Sequence, residues 1–172
     1  ELSTEKARQA LPRELPYKDA VYNVSRVGLL PAAMNPVVLA QAAQQGKSGV
    51  AAAPAQDANT CACAGGTRES AFADELAAAQ AQSNALLFTA TQDKLHQPYR
   101  GALMPPSTEL IALFRSKGYA AAVSGAGPCV LVLHYGNARE AIDQIASEQL
   151  ASGRWRVLHL PINTAGVEIE RR

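Results

Sequence analysis

Apolar residues follow two kinds of spacing along the chain. Steps of four and three residues place Tyr17, Val21 and Val24 on one side of a helix that starts near Tyr17, runs through Leu29 and is bent or ended by Pro31 or Pro36. A shorter helix is expected over residues 3–10, with Ser3 or Thr4 as its cap, Glu5 early and Leu11-Pro12 closing it. Thr4 and Arg8 are four residues apart and so share a face, with Thr4 at the end where backbone N–H groups are free to meet an anion. Helical patterning also runs from about residue 70 to residue 95, where Phe72, Leu76, Leu86, Leu87, Phe88 and Leu95 form a stripe. Ser107 is expected to cap a further helix whose apolar side is Leu110, Ile111, Leu113 and Phe114 and which Gly118 ends.

The second kind of spacing predicts strands. Residues 119–123 and 129–134 read as strands joined by Ser124-Gly125-Ala126-Gly127-Pro128, followed by a helix at 137–151 and strands at 155–160 and 166–170. Helices and strands in this order predict an α+β fold with helices over one sheet face. Residues 41–84 break the pattern: Ala, Gln, Gly, Ser and Asn dominate, and no apolar periodicity survives until about Phe72, so this stretch reads as a flexible insertion or linker.

Composition narrows the function classes. With 16 Lys+Arg against 15 Asp+Glu and 5% aromatic residues in 172, the chain has neither the excess positive charge nor the stacking platform of a nucleic-acid binder. The richest apolar stretch, 119–133, is interrupted by Ser124, Gly125, Gly127 and Pro128, which leaves no run of the roughly 18 to 20 apolar residues that a membrane helix needs. No membrane association is expected. Three cysteines make no even-numbered framework and suit a reducing cytoplasm. The opening Glu-Leu-Ser-Thr-Glu-Lys has no initiator Met and no signal-peptide pattern, so the chain is expected to be the inside of a longer polypeptide.

Candidate chemistry is sparse. The glycines of loop 124–128 permit positive φ and close backbone approach to a ligand, although a plain β-turn explains them too. It is not a phosphate loop of the Gly-Lys-Ser/Thr kind, because a strand follows it rather than a helix. Arg8, Arg26 and Arg100 offer guanidinium groups, the preferred bidentate partners of carboxylate and phosphate. His96 lies four residues before Arg100 as a candidate base, with packing as its plainer role. Cys61-Ala-Cys63 supplies two thiols with no companion pair, so no metal site is expected. A non-catalytic module that binds an amino acid for regulation fits the same pattern.

Five ordered blocks carry a resemblance: Ser-Thr-Glu-Lys-Ala-Arg-Gln-Ala-Leu-Pro (3–12), Asp-Ala-Val-Tyr-Asn-Val-Ser-Arg (19–26), Asp-Lys-Leu-His-Gln-Pro-Tyr-Arg (93–100), Ser-Gly-Ala-Gly-Pro (124–128) and Asn-Thr-Ala-Gly-Val (163–167). In order and spacing they resemble the homoserine kinases, a family of GHMP small-molecule kinases, in their actinobacterial branch. The resemblance implies a GHMP kinase C-terminal domain over 1–172, with helices packed on one face of a mostly antiparallel, ferredoxin-like sheet. It further implies that the N-terminal nucleotide-binding domain, with its phosphate loop and Mg²⁺ ligands, lies in a separate N-terminal half. The implied reaction is ATP-dependent phosphorylation of L-homoserine to O-phosphohomoserine in threonine biosynthesis, by a homodimer, with this chain inactive by itself. By the same resemblance, Arg8 and Arg100 bind homoserine and stabilise the transferring phosphoryl region, Thr4 lies one turn before Arg8, and Asn23 lies near the substrate. Ser124, Gly125, Ala126 and Gly127 match the loop that supports the nucleotide phosphate loop. Two features depart from the family pattern: Cys129, where relatives carry Thr or Ser, and the length of the 41–84 stretch.

Overall fold

Helix α1 (Thr4–Gln9) begins where Ser3 turns its hydroxyl oxygen to the Lys6 amide at 3.2 Å, so Ser3 is the cap and Thr4 the first helical residue. A computed structural model describes residues 2–34, 65–161 and 169, with the backbone alone over 65–72. Two compact units divide it, Glu1–Gly136 and Asn137–Arg172. In the first unit α2 (Tyr17–Val27) starts directly after Pro16, and Gly28 ends it. Pro31 is the second residue of a separate helix, α3 (Leu30–Met34), where its missing N–H costs nothing. Among the described residues nothing covers the apolar side of α2: Tyr17, Val21, Val24 and Val27 are all exposed.

Helix α4 spans Gly65–Ala90. Composition assigned residues up to 84 to the insertion, whereas helical patterning was expected from about residue 70; over 70–84 the helical reading holds, as the strong helix propensity of alanine favours. The helix begins five residues earlier than expected, because residues 65–69 carry no apolar spacing to register. The C-terminal end of α4 carries the packing. Leu87 and Ala90 join Ala33 of α3 and Ala120 in a buried cluster, bordered by Leu29, Leu30, Leu86, Phe88, Leu133 and Tyr135. The Ala positions let the backbones approach, and the Leu and Phe side chains fill the remaining space. The helix stops at Ala90, so Leu95 belongs to the following loop rather than to the helical stripe.

After α5 (Gln97–Arg100) and a 3₁₀ turn (Gly101–Leu103), α6 (Pro105–Ser116) packs against an antiparallel pair, β1 (Ala120–Val123) and β2 (Val130–Leu133). The register pairs Ala120 with Leu133 and Val123 with Val130. Residues Ser107, Leu110, Ile111 and Phe114 are buried at steps of three and four, the spacing of one helical face. Arg115 ties three elements together: its Nη1 donates to Ala121 O at 3.0 Å and Thr91 Oγ1 at 3.2 Å, and its Nη2 to Phe88 O at 2.8 Å. Burial lowers the pKa of this guanidinium, and the backbone carbonyls it meets satisfy its hydrogen-bonding capacity.

Ser107 is not the cap of α6. The helix starts two residues earlier, at Pro105, because proline suits the first turn. Its hydroxyl instead donates to Pro128 O at 2.6 Å from a position only 1% exposed, joining α6 to the loop between the strands. Replacing Ser107 by Ala leaves that carbonyl without its donor, and urea unfolding is expected to show a loss of about 1–2 kcal/mol. An unchanged midpoint would mean that the bond contributes nothing.

In the second unit the expected helix over 137–151 is divided into α7 (Arg139–Ile145) and α8 (Ser147–Ala151), with the buried Ala146 between them. The expected strand at 155–160 is absent. That segment has no ladder partner among the described residues, and its Leu158 and Leu160 are exposed. His159 Nε2 lies 3.0 Å from Asp143 Oδ1. The expected strand at 166–170, the Asn-Thr-Ala-Gly-Val block and the two cysteines at 61 and 63 fall outside the described residues, except for Ile169, which is exposed and not in a strand. The fold is α+β, and its sheet, among the described residues, is the antiparallel pair β1–β2. No described helix is long and apolar enough to cross a membrane.

Candidate functional site

Helix α5 is only four residues long and would not persist alone. The carboxylate of Asp93 organises the chain that enters it. Oδ1 accepts from Leu95 N at 2.9 Å, and Oδ2 from His96 N at 3.0 Å and Gln97 N at 2.6 Å. A fourth donor comes from α2, where Asn23 Nδ2 reaches Oδ1 at 2.6 Å. The other end of the same amide, Asn23 Oδ1, accepts from Lys94 N at 2.8 Å. Asn23 thereby clamps the loop at two successive residues. Alongside, Tyr22 donates to Gln92 Oε1, which also receives Arg26 Nε at 3.2 Å, and the Tyr22 ring lies between Arg26 and Lys94 at 4.4 and 4.2 Å.

Burial alone would raise the Asp93 pKa, but the bonds from Gln97, Asn23, Leu95 and His96 outweigh it and the net shift is downward. A carboxylate whose folded pKa lies below its unfolded value of about 3.9 stabilises the fold fully above that pH, and the contribution is lost as pH falls through the folded value. The imidazole Nδ1 of His96 lies 3.4 Å from Asp93 Oδ1. Asp93→Asn is therefore expected to be less stable than wild type at pH 7, with the gap narrowing as pH drops below about 4. Urea titrations of both proteins at the two pH values check this; a gap independent of pH would contradict it.

Arg100 ends α5. Its Nε donates to Ala7 O at 3.0 Å, one of the C-terminal carbonyls of α1 that no helical N–H can reach. Among the described residues its two terminal nitrogens make no hydrogen bond. Arg100 lines a cleft of about 430 Å³ together with Asn23, Asp93, His96, Gln97, Met104 and Gly125. Gln97 Oε1 accepts from Val123 N at 3.2 Å, which ties α5 to the end of β1 where the glycine loop begins. The cleft thus presents a guanidinium held at its inner nitrogen with its outer fork unpaired, an arrangement suited to a carboxylate or phosphate.

The loop itself is a closed turn. Ser124 N donates to Cys129 O at 2.8 Å and Gly127 N to Ser124 O at 3.3 Å, with positive φ at Gly125 (65°) and Gly127 (93°). Of its residues only Gly125 lines the cleft; Ser124 is exposed and Ala126 and Gly127 are half-buried. Thr4 and Arg8 are exposed on α1 and are not part of the lining, although Arg8 directly follows the carbonyl that Arg100 holds. The cleft therefore unites Asn23, His96, Arg100 and Gly125 of the sequence candidates. It adds Asp93 and Gln97, which were not singled out. Their signal was present: an Asp four residues before Gln97, with Pro98 at the start of a helical turn, is a chain-entry pattern.

Residues 70–151 match the family described as GHMP kinases C terminal. The chain carries a GHMP kinase C-terminal domain. The chain is also 32% identical over 171 residues to the homoserine kinase of Clavibacter michiganensis subsp. michiganensis, covering 98% of this chain and 39% of that protein. It is 33% identical over 172 residues to the homoserine kinase of Leifsonia xyli subsp. xyli, covering 99% of this chain and 38% of the relative. For the Corynebacterium aurimucosum homoserine kinase the figures are 32% over 169 residues, 98% and 38%. The chain thus spans less than two-fifths of the length of these relatives. In this GHMP kinase C-terminal domain no group of three or more His, Cys, Asp or Glu among the described residues is placed to hold a metal ion. The outer nitrogens of Arg100, which make no hydrogen bond among the described residues, fit an anionic substrate.

Proposed function

We propose that this chain forms the C-terminal, substrate-contacting part of an ATP-dependent homoserine kinase that phosphorylates the side-chain hydroxyl of L-homoserine to give O-phosphohomoserine in threonine biosynthesis. The observation that supports it best is Arg100, fixed through Nε on Ala7 O and lining the cleft with its outer nitrogens unpaired. Homoserine brings a carboxylate and ATP brings phosphates, and guanidinium groups suit both. Arg100 and Arg8 are assigned to homoserine and the transferring phosphoryl region, Thr4 and Asn23 to the substrate's surroundings, and Ser124, Gly125, Ala126 and Gly127 to the support of a nucleotide loop. The nucleotide-binding domain and the Mg²⁺ ligands are assigned to polypeptide outside residues 1–172, and the complete enzyme to a cytoplasmic homodimer. Phosphoryl transfer depends mainly on positioning and charge stabilisation, which is what a fixed arginine contributes.

The test is a coupled ADP-release assay with ATP, Mg²⁺ and L-homoserine, run on the 172-residue chain alone and again with the N-terminal half added. Homoserine-dependent ADP release in the mixture only is the expected result. Silence in both samples, with both halves folded and shown by size-exclusion chromatography to associate, removes the kinase reading; saturable calorimetric binding of homoserine by this chain alone would then favour an amino-acid-binding module.

A further inference from the structure

The carboxylate of Asp93 lines the same cleft as Arg100, which raises two roles for it: direct contact with a substrate ammonium, or control of the loop that carries Arg100. Its acceptor capacity decides between them. An ionised carboxylate offers about four lone-pair directions, and Asn23 Nδ2, Leu95 N, His96 N and Gln97 N already converge on the two oxygens. A substrate ammonium would have to displace a backbone amide or the Asn23 side chain from this carboxylate. The amides so held are the entry to α5, and Arg100 is the last residue of that helix. Gln97, whose amide makes one of the two shortest of these bonds, also accepts from Val123 N through its side chain, so α5 is fixed at its start by Asp93 on one side and by β1 on the other.

We propose that Asp93 is a positioning residue for Arg100: by binding the amides of residues 95–97 and the side chain of Asn23, it sets where the guanidinium fork lies in the cleft. In this arrangement Asn23 acts mainly through Asp93, since one donor and one acceptor of its amide are committed to Asp93 and Lys94. The inference deepens the homoserine-kinase reading and rests on it for its kinetic consequence, but its structural consequence is measurable without any substrate.

The kinetic test is a double-mutant cycle in the complete kinase with Asp93→Asn, Arg100→Ala and the pair. Asp93→Asn keeps the size of the side chain but not the charge or both acceptor oxygens, and misplacement of a substrate-contacting group is expected to lower kcat/KM for L-homoserine by about 10- to 100-fold. In the Arg100→Ala background the same change is expected to cost less than about 3-fold, because there is no guanidinium left to misplace. A general structural defect would give equal losses in both backgrounds, and that result overturns the proposal, as does wild-type kcat/KM in Asp93→Asn. If Asp93→Asn does not fold, Asp93→Glu, which keeps the charge but displaces it by one methylene, replaces it in the cycle. The substrate-free test is the Arg100 Nε–Hε resonance of ¹⁵N-arginine-labelled protein, protected from exchange in wild type by its bond to Ala7 O. Loss of that protection in the Asp93 variant supports positioning, and unchanged protection contradicts it. Absence of homoserine turnover in wild type would overturn the kinase reading and leave this resonance to decide the positioning role.

Discussion

Arg100→Ala in the complete kinase is expected to lower kcat/KM for L-homoserine by roughly 10²- to 10³-fold, the consequence of removing one partner of a charge-assisted contact worth ~3–4 kcal/mol. Its effect on folding should be much smaller. Among the described residues the side chain makes one hydrogen bond, to Ala7 O, so its removal is expected to cost about 1–2 kcal/mol of stability. Arg100→Lys distinguishes charge from geometry: the ammonium keeps the charge but loses the Nε anchor and the planar fork, so only a minor part of the lost activity should return. Steady-state kinetics and urea unfolding on the same preparations check the two effects separately. An Arg100→Ala enzyme with wild-type kcat/KM would remove Arg100 from the substrate site.

Gly127→Ala is expected to be the most destabilising small substitution in the first unit, at ~2–4 kcal/mol. Two costs combine. Gly127 has φ near +93°, which an alanine adopts only under strain, and an added Cβ would lie 2.5 Å from Met104 Sδ. Methionine is flexible, but Met104 is only 4% exposed and cannot swing into solvent. Since Met104 also lines the cleft, its displacement is expected to weaken substrate binding too. Gly125→Ala is the internal control. Its φ is +65° with nothing within 4 Å of the new Cβ, so only the backbone strain of about 1–2 kcal/mol remains. Equal losses at the two positions, measured by urea unfolding, would show that Met104 repacks freely.

The central strand pair and α6 were legible because their signals are local: apolar runs bounded by glycines, and a three- and four-residue spacing closed by Gly118. Helical patterning was also read from about residue 70, but the start of α4 was not, because residues 65–69 carry no apolar spacing. Ser107 looked like a cap because Pro105 and Pro106 precede it, yet its position on the buried face directs its hydroxyl to Pro128 O, a partner 21 residues away that no local rule indicates. A strand at 155–160 was inferred from residue type alone, but strands need partners as well as propensity. In the site, His96, Arg100 and Gly125 were chosen for their chemistry and all line the cleft, as does Asn23. Thr4 and Arg8 were paired by helical spacing and do share α1, but the cleft is lined from other segments. Asp93 was missed because its role is to bind backbone amides, and residue type gives little indication of how many amides a loop will bring to one carboxylate.

The most direct measurement is ³¹P NMR of the complete kinase incubated with ATP, Mg²⁺ and L-homoserine. The expected result is a new phosphomonoester resonance, split by the adjacent methylene protons, that grows at the same rate as ADP and is strongly suppressed in Arg100→Ala. ADP accompanied only by inorganic phosphate, or a phosphomonoester formed equally well without Arg100, would contradict it.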